Sequence, residues 1–482
     1  MNQESIDYFS KRVKELIDGI DKGDFSKDII PDKYRWEHLL GLLLLKDSLD
    51  GGEDLFIQLY RKAIDSAKNY IRKKASSGQS IKVVFQSYSA AEWPAEEVYK
   101  RYQQTKGIET LVFVSPLMGR GKETAINSYS QTYDYFVQTG HRVYGGLDVE
   151  TCKIKSWDDF GEAPDVLYQL STWFTSLPEA QWFSRLPMRC LMAYIPYSLY
   201  LANNADGSYA VNSVYNKEII NLMWRVYCDT RFNLEGYKKY QLLKGENVRF
   251  SGYTKMDYFL DDKEMDAKEI SNLWKIPVGN EEGKIKKIII APHYSVGNRE
   301  IILYSTFKKN AWFWLYLAEK YKDKVSFVFK PHPNLRYVAV EEGLFKDYEE
   351  YDSYLQRWND LPNAKVVQES SYLEYFVTSD AMIMDSISFL GEYLYVGKPL
   401  LFLTREEQRF LELGEKVVNA YYRVPGDDYS GIIDFIDDVV LSGNDFMKAN
   451  REEVFDQEYN YVKQNGICAS DFICKELLEL IK

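Results

Sequence analysis

The chain has 482 residues, with 60 Lys and Arg against 72 Asp and Glu for a formal charge of −12, and 15% aromatic residues in which 39 Tyr outnumber 25 Phe. At roughly 100–200 residues per domain this length predicts two or three domains, each able to bury its own core. A net-acidic chain with scattered basic residues lacks the concentrated Lys/Arg patch on which duplex binding rests, so no nucleic-acid partner is expected. Five cysteines, Cys152, Cys190, Cys228, Cys468 and Cys474, match neither a zinc spacing nor a redox pair, and their odd number argues against a disulfide framework. The start of the chain shows no basic stretch followed by an apolar run, and Leu42–Leu45 is too short to span a bilayer. The expected setting is the reducing cytoplasm, with the protein soluble or peripheral at the inner face of the plasma membrane.

Taken in chain order, Ile6, Phe9, Val13, Leu16, Ile17 and Ile20 recur at helical spacing, Tyr34–Lys46 is a strongly apolar helix, and Leu55–Lys74 is a third helix ending in Arg72-Lys73-Lys74. Ala75–Ser80 reads as a linker. Short apolar runs then alternate with helical stretches: Ile81–Phe85, Thr110–Val114, Val166–Tyr168, Arg189–Ile195 and Asn247–Phe250. After the charged stretch Asp261–Lys268 comes a second series, Lys287–Ala291, Val325–Phe329, Ala364–Val367, Ala381–Met384 and Pro399–Leu403. Near-continuous apolar strands parted by helices are what a parallel sheet covered on both faces requires. The fold class is therefore α/β: a helical N-terminal segment (1–78), a first Rossmann-like domain (79–262) and a second Rossmann-like domain with C-terminal helices (263–482).

Ligands of open α/β sheets bind beyond the carboxyl ends of the strands. Two of the four histidines fall there: Lys287–Ala291 leads into Pro292-His293-Tyr294-Ser295, and Val325–Phe329 into Lys330-Pro331-His332-Pro333. The prolines stiffen the loops that hold an ammonium and two imidazoles at this edge. Ala381–Met384 leads into Asp385-Ser386-Ile387-Ser388, where Asp or Ser capping a helix would aim Ser386, Ser388 and free N–H groups at an anion, with Glu392 one turn on for a ribose diol. Together these predict a pocket for the diphosphate of a nucleotide-activated donor. His38 reads as a packed helix residue and His141 as a turn residue. No Walker motif, dinucleotide fingerprint or compact Asp-x-Asp is present, so neither a metal nor a resident cofactor is expected.

The elements Gly252-Tyr253-Thr254-Lys255-Met256-Asp257, Ala291-Pro292-His293, Lys330-Pro331-His332-Pro333, Ser379-Asp380 through Asp385-Ser386-Ile387-Ser388, Glu392 and Lys398-Pro399 resemble, in order and spacing, the CDP-glycerol glycerophosphotransferase family. These are teichoic-acid primases, polymerases and related capsule enzymes of two-domain GT-B architecture. The resemblance implies a transferase in cell-envelope biosynthesis, with a CDP-polyol or nucleotide sugar as donor and a polysaccharide or lipid-linked acceptor. It puts Lys330 and His332 near the pyrophosphate, Ser386 and Ser388 on a phosphate, Glu392 on the ribose, and Lys255 among the donor-binding residues where the family has arginine.

The sequence departs from that pattern in the N-terminal domain, where Arg189–Ile195 leads into Pro196-Tyr197-Ser198 and not the family's His-Gly pair. The base that activates the acceptor is then sought in Glu92, after strand Ile81–Gln86, either buried beside Trp93 or a first-turn helix carboxylate, and in His293. A nucleotide-sugar epimerase of the same shape and a catalytically silent binding subunit are the competing expectations. The basic helix end Arg61-Lys62…Lys68…Arg72-Lys73-Lys74 is where anionic lipid would be met.

Overall fold

The computed structural model describes residues 2–26, 28–119, 121–260, 265, 267–277, 284–368 and 372–482. The expected 262/263 boundary and most of the charged stretch 261–268 lie outside these. By internal contacts the chain forms two units: unit 1 comprises Met1–Ser198, Val211–Asp257 and Tyr461–Lys482, and unit 2 comprises Leu199–Ala210 and Tyr258–Asn460. The sequence reading kept 461–482 with the second domain, whereas their contacts are with unit 1.

Unit 1 begins with helices α1 (Gln3–Asp21), α2 (Trp36–Leu45) and α3 (Gly52–Ser76). Eight of the residues of α2 are buried, the outcome expected of a helix apolar on every side. Trp36 donates from Nε1 to the Cys190 carbonyl (2.9 Å), and the Tyr60 hydroxyl of α3 to the Met223 carbonyl (2.7 Å), fixing this segment to the sheet region. The linker expected at Ala75–Ser80 is shorter, because α3 continues to Ser76. Its basic end is partly consumed: Lys74 pairs with Asp165 (2.8 Å) and Glu162 (3.1 Å), and Arg61 with Glu246 (2.6 Å). No helix among the described residues is long and apolar enough to cross a membrane.

Seven parallel strands follow: β1 (Ile81–Ser87), β2 (Ile108–Val114), β3 (Val143–Gly145), β4 (Val166–Gln169), β5 (Leu191–Tyr194), β6 (Arg225–Cys228) and β7 (Val248–Phe250), in the order β3-β2-β1-β4-β5-β6-β7. Helix α4 (Glu96–Gln103) connects β1 to β2. Unit 2 holds β8 (Lys286–Ala291), β9 (Val325–Phe329), β10 (Ala364–Val366), β11 (Ala381–Met384), β12 (Leu400–Thr404) and β13 (Tyr422–Pro425), in the order β10-β9-β8-β11-β12-β13. Helix α5 (Phe307–Lys320) connects β8 to β9. Both sheets therefore share the doubly wound order 3-2-1-4-5-6, to which unit 1 adds a seventh strand, and the direction reverses between the first and fourth strands. The reversal falls at β1/β4 in unit 1, with Gln86 level with Gln169, and at β8/β11 in unit 2, with Ala291 level with Met384. One face of the second sheet is sealed by a core in which Phe307 and Trp314 of α5 meet Phe327, Phe329 and Trp358. The chain is thus α/β, with two Rossmann-like units.

Unit 1 is closed by the C-terminal helix α6 (Ala469–Ile481). Buried Asp257 accepts from the Tyr461 hydroxyl (2.5 Å) and from the backbone N–H groups of Ala469 (3.1 Å) and Ser470 (2.7 Å), satisfying orphan donors at the start of that helix. Gly252 has φ +89°, and a Cβ there would stand 2.1 Å from the Tyr461 ring, so only glycine permits this docking.

Candidate functional site

In unit 2 the loops after β8 and β9 lie side by side, because Lys330 N–H donates to the Ile290 carbonyl (2.8 Å) and His332 N–H to the Pro292 carbonyl (3.2 Å). This brings the two imidazoles to a ring-centroid distance of 5.5 Å, with the Tyr294 ring 4.3 Å from His293 and 4.7 Å from His332. Ser295 Oγ accepts the Tyr304 N–H (2.9 Å), so its hydroxyl proton is available for His293 Nδ1 at 2.8 Å, which the Ser295 N–H also approaches at 3.3 Å. Nδ1 is thus an acceptor and the ring proton sits on Nε2. Burial, and then the neighbouring His332, hold the His293 pKa well below its usual 6.5. At neutral pH His293 is therefore a neutral hydrogen-bond donor, which suits an anionic oxygen better than the base role expected for it. His332 Nδ1 likewise accepts the Asn334 N–H (3.1 Å), leaving Nε2–H as its donor.

Half-buried Lys330 places its ammonium 5.6 Å from the centroid of the Tyr372 ring. The Tyr372 hydroxyl donates to Glu392 Oε2 (2.5 Å), and burial followed by that carboxylate pushes the phenol pKa well above 10. Glu392 is only 2% exposed, and through the Tyr372 hydroxyl it holds that ring beside Lys330.

The segment after β11 departs from the sequence reading. No α-helix starts near Ser386; residues 387–391 form a bend and a turn, and a short 3-10 helix follows at Glu392–Val396. The reason is the commitment of Asp385. Its Oδ1 accepts the His293 N–H (2.6 Å), and its Oδ2 accepts the Thr306 N–H (2.5 Å) and hydroxyl (2.8 Å), so it satisfies the loop after β8 and the entry to α5 instead of capping a helix of its own. Burial raises its pKa to about 6 against three lowering hydrogen bonds. Ser386 is buried, its Oγ accepting the Ser388 N–H (3.3 Å), and Ser388 is half-buried. Anion binding here would rest on these hydroxyls and turn amides, without a helix dipole.

Two further residues complete this edge. Arg405, directly after β12, donates to the Ser295 (3.3 Å) and Ser305 (3.1 Å) carbonyls and to Asn298 (2.9 Å), clamping the loop after β8. The strand-end rule that found Lys330 would have found it too. Lys398 of the Lys-Pro pair donates to the Phe376 (3.1 Å), Val377 and Ser379 (2.5 Å) carbonyls at the end of helix Leu373–Thr378, and burial lowers its pKa to about 8. Its role is structural.

In unit 1 Glu92 sits at the β1/β4 reversal, in a 3-10 turn, Ala90–Glu92, four residues before α4. The Tyr88 hydroxyl donates to Glu92 and lies 3.1 Å from Ser171 Oγ, just beyond β4. Burial, then the Glu92 charge, push the Tyr88 pKa well above 10, so it stays a donor. Trp93 is the partner of Glu96 and not of Glu92, its indole donating to Glu96 (2.8 Å); Glu96 and Glu97 are the carboxylates in the first turn of α4, while Glu92 is that of the 3-10 turn before it. Glu96 faces burial, but its bonds to His141 (3.0 Å) and Trp93 bring its pKa to about 2, so buried His141 is a packing partner and not a bare turn residue. His38 is a packed helix residue as expected, its Nδ1 accepting the Arg35 N–H at 3.2 Å.

Lys255, expected among the donor-binding residues, donates to the Ala91 carbonyl (3.4 Å) in unit 1, while Thr254 bonds the Pro94 carbonyl (2.6 Å) and Tyr253 the Tyr197 carbonyl (2.5 Å). The Gly-Tyr-Thr-Lys-x-Asp element thus braces the Glu92 turn. The structure gathers His293, His332, Lys330, Ser386, Ser388 and Glu392 in unit 2, and Glu92 with Lys255 in unit 1. Tyr88, Ser171, Tyr372 and Arg405 are residues of these clusters that sequence reasoning left unassigned, and Asp385 is one to which it gave a different role, a helix cap.

No family model and no curated protein matches the sequence. Among solved structures, the wall teichoic acid polymerase TagF is similar with a TM-score of 0.51 at 14% identity, covering 89% of this chain and 96% of that one. The UDP-GlcNAc 2-epimerase from Neisseria meningitidis bound to UDP-GlcNAc follows at 0.48 and 16% identity, covering 83% and 100%. The S. aureus MnaA–UDP structure stands at 0.45 and 16%, covering 84% and 98%. At such identities what the likeness to TagF shows is the fold, two Rossmann-like units of the GT-B type.

Proposed function

We propose that the protein transfers a polyol phosphate or a sugar from a nucleotide-diphosphate donor to a hydroxyl of a bacterial cell-surface polymer. The observation that carries this reading is the pair of imidazoles 5.5 Å apart beyond the carboxyl ends of β8 and β9, both with Nδ1 as acceptor and so protonated at Nε2, with Lys330 at the start of the loop that holds His332. Such a set meets the charge that develops on a leaving phosphate oxygen. In phosphoryl transfer the acceptor oxygen bonds the distal phosphorus and CMP departs; in glycosyl transfer it bonds the anomeric carbon and a nucleotide departs. In unit 1, Glu92 takes the hydroxyl proton, and the Tyr88 phenol orients it. Lys255 contributes by holding the Glu92 turn. Support comes also from the TagF likeness, since a TagF structure of the same fold, TM-score 0.51, was soaked with CDPG.

The test is a thermal-shift panel of CDP-glycerol, CDP-ribitol, CMP and UDP- and GDP-sugars on the wild type and on His332→Ala. A ligand that binds only the folded state raises the melting temperature, by an amount set by its concentration relative to Kd. One nucleotide class should stabilise the wild type and not the variant. Turnover of donor with no acceptor would point to epimerisation instead, and no shift with any nucleotide would sink the proposal.

A further inference from the structure

Unit 1 contains a cavity of about 520 Å³ that the reaction does not use, walled by α1, the start of α2, the loop Ser156–Asp158 and the turns Glu179–Arg185. A second of about 180 Å³ shares Arg35, Trp157 and Asp158 with it and reaches Arg189, just before β5, and Glu162–Ala163, just before β4. The smaller cavity thus reaches the amino ends of β4 and β5, whereas Glu92 follows the carboxyl end of β1.

Three guanidiniums line the larger cavity, those of Arg12, Arg35 and Arg185. Two are fixed from behind by Glu37, a carboxylate only 4% exposed that holds Arg12 Nε (3.0 Å), Arg185 Nη1 (2.8 Å) and the Tyr8 hydroxyl (2.7 Å). Both guanidinium carbons lie 5.3–5.4 Å from the centroid of the same Tyr8 ring, which limits their rotation. Half-buried Arg12, Arg185 and Arg35 with buried Glu37 thus carry a net charge of +2 among themselves. The balancing anions are more exposed: Glu15, 38% exposed, pairs with Arg12 at 2.6 Å, Asp158, 82% exposed, touches Arg35 at 3.5 Å, and Glu179, 61% exposed, touches Arg185. Exposed pairs of this kind are weak and exchangeable, whereas a guanidinium fork held in place favours a multidentate oxyanion. In the adjoining cavity Arg189 Nη1 is buried without a hydrogen bond, 3.8 Å from Asp165.

We propose that this cavity is a binding site for a phosphate-class oxyanion, with the Asp158 and Glu179 carboxylates occupying the place of the ligand's oxygens. The phosphate would come either from a small phosphomonoester or from a phosphodiester-linked polymer.

Isothermal titration at matched ionic strength with inorganic phosphate, glycerol phosphate and a glycerol phosphodiester, against sodium chloride, tests it. It is run on the wild type and in a His332→Ala background, so that an anion bound at the strand edge of unit 2 is counted separately. Saturable phosphate binding is expected in both. Arg35→Ala or Arg35→Gln, half-exposed substitutions whose folding is checked by an unchanged melting temperature, should weaken it roughly 10-fold or more through loss of a charged hydrogen bond. Asp158→Asn should tighten it up to about 5-fold by removing the competing carboxylate. Preference for glycerol phosphate identifies a terminal phosphate, and equal binding of the diester a polymer. Absence of saturable binding, wild-type affinity in both Arg35 variants, or no tightening in Asp158→Asn overturns the proposal. The nucleotide response of the wild type is independent of each of these outcomes.

Discussion

Asp385 offers a quantitative test of how unit 2 is held together. Its carboxyl is fully buried, accepts three hydrogen bonds and has its pKa raised from 3.8 to about 6 by burial. Because the folded-state value lies above the unfolded one, the native protein binds more protons than the unfolded chain between those values. Stability contributed by this group is therefore full below pH 3.8 and is lost as pH rises through 6. The interval corresponds to about 3 kcal/mol in total, and to roughly 2.4 kcal/mol of it between pH 4 and pH 7. Asp385→Asn removes the titration. Its carbonyl can keep both Thr306 bonds, but its NH₂ then faces the His293 N–H, a stranded buried donor that costs about 1–3 kcal/mol at every pH. Urea unfolding of wild type and variant across pH 4–8 gives a difference curve in which other titrating groups cancel. The wild type should lose about 2.4 kcal/mol relative to the variant from pH 4 to pH 7. A flat difference, or one of opposite slope, would refute the assignment of a buried, ionising Asp385.

Glu96 should behave with the opposite sign: its pKa lies near 2, so its contribution is present above pH 4.5 and lost as pH falls toward 2, and Glu96→Gln should cost about 1 kcal/mol at pH 7 once solvent screening is allowed for, read by urea unfolding, with no cost at pH 2. Asp257→Ala strands the Tyr461 hydroxyl and two buried N–H groups, and should cost about 3–5 kcal/mol and expose residues 461–482 to limited proteolysis. Tyr88→Phe should lower the transfer rate roughly 10-fold or more while leaving the nucleotide-induced thermal shift unchanged, since Tyr88 touches Glu92 and belongs to unit 1. Equal loss of nucleotide binding would show that Tyr88 acts through the fold.

Most of the sheet framework was legible because central parallel strands are buried on both faces and read as unbroken apolar runs; β9 and β11 have the bounds their residues suggest. The strands that escaped lie toward the edges. Tyr422–Pro425 alternates half-buried and exposed positions, and Arg225–Cys228 opens on an arginine that pairs with Glu476 at 2.9 Å, so neither presents a continuous apolar signal. At the site, the strand-end rule located Lys330, His332 and His293, because chain connectivity alone places them there. It misread Ser386, since whether Asp385 caps the following segment or turns back to Thr306, 79 residues earlier, is decided by tertiary structure. The Glu392–Tyr372 bond and the Lys255–Ala91 bond are likewise contacts between distant parts of the chain that no local spacing encodes.

The return of Tyr461–Lys482 to unit 1 has a consequence for the order of synthesis. Unit 2 draws on Leu199–Ala210 and Tyr258–Asn460, so all its residues have been made before the helix that completes unit 1 exists. The first sheet to be translated is thus the last unit to be finished. Until the ribosome releases α6, the buried donors that meet Asp257 are absent and the face that receives this helix is open to water, the condition in which partly folded chains aggregate. A premature stop after Asn460 would therefore damage the unit encoded first and spare the one encoded last.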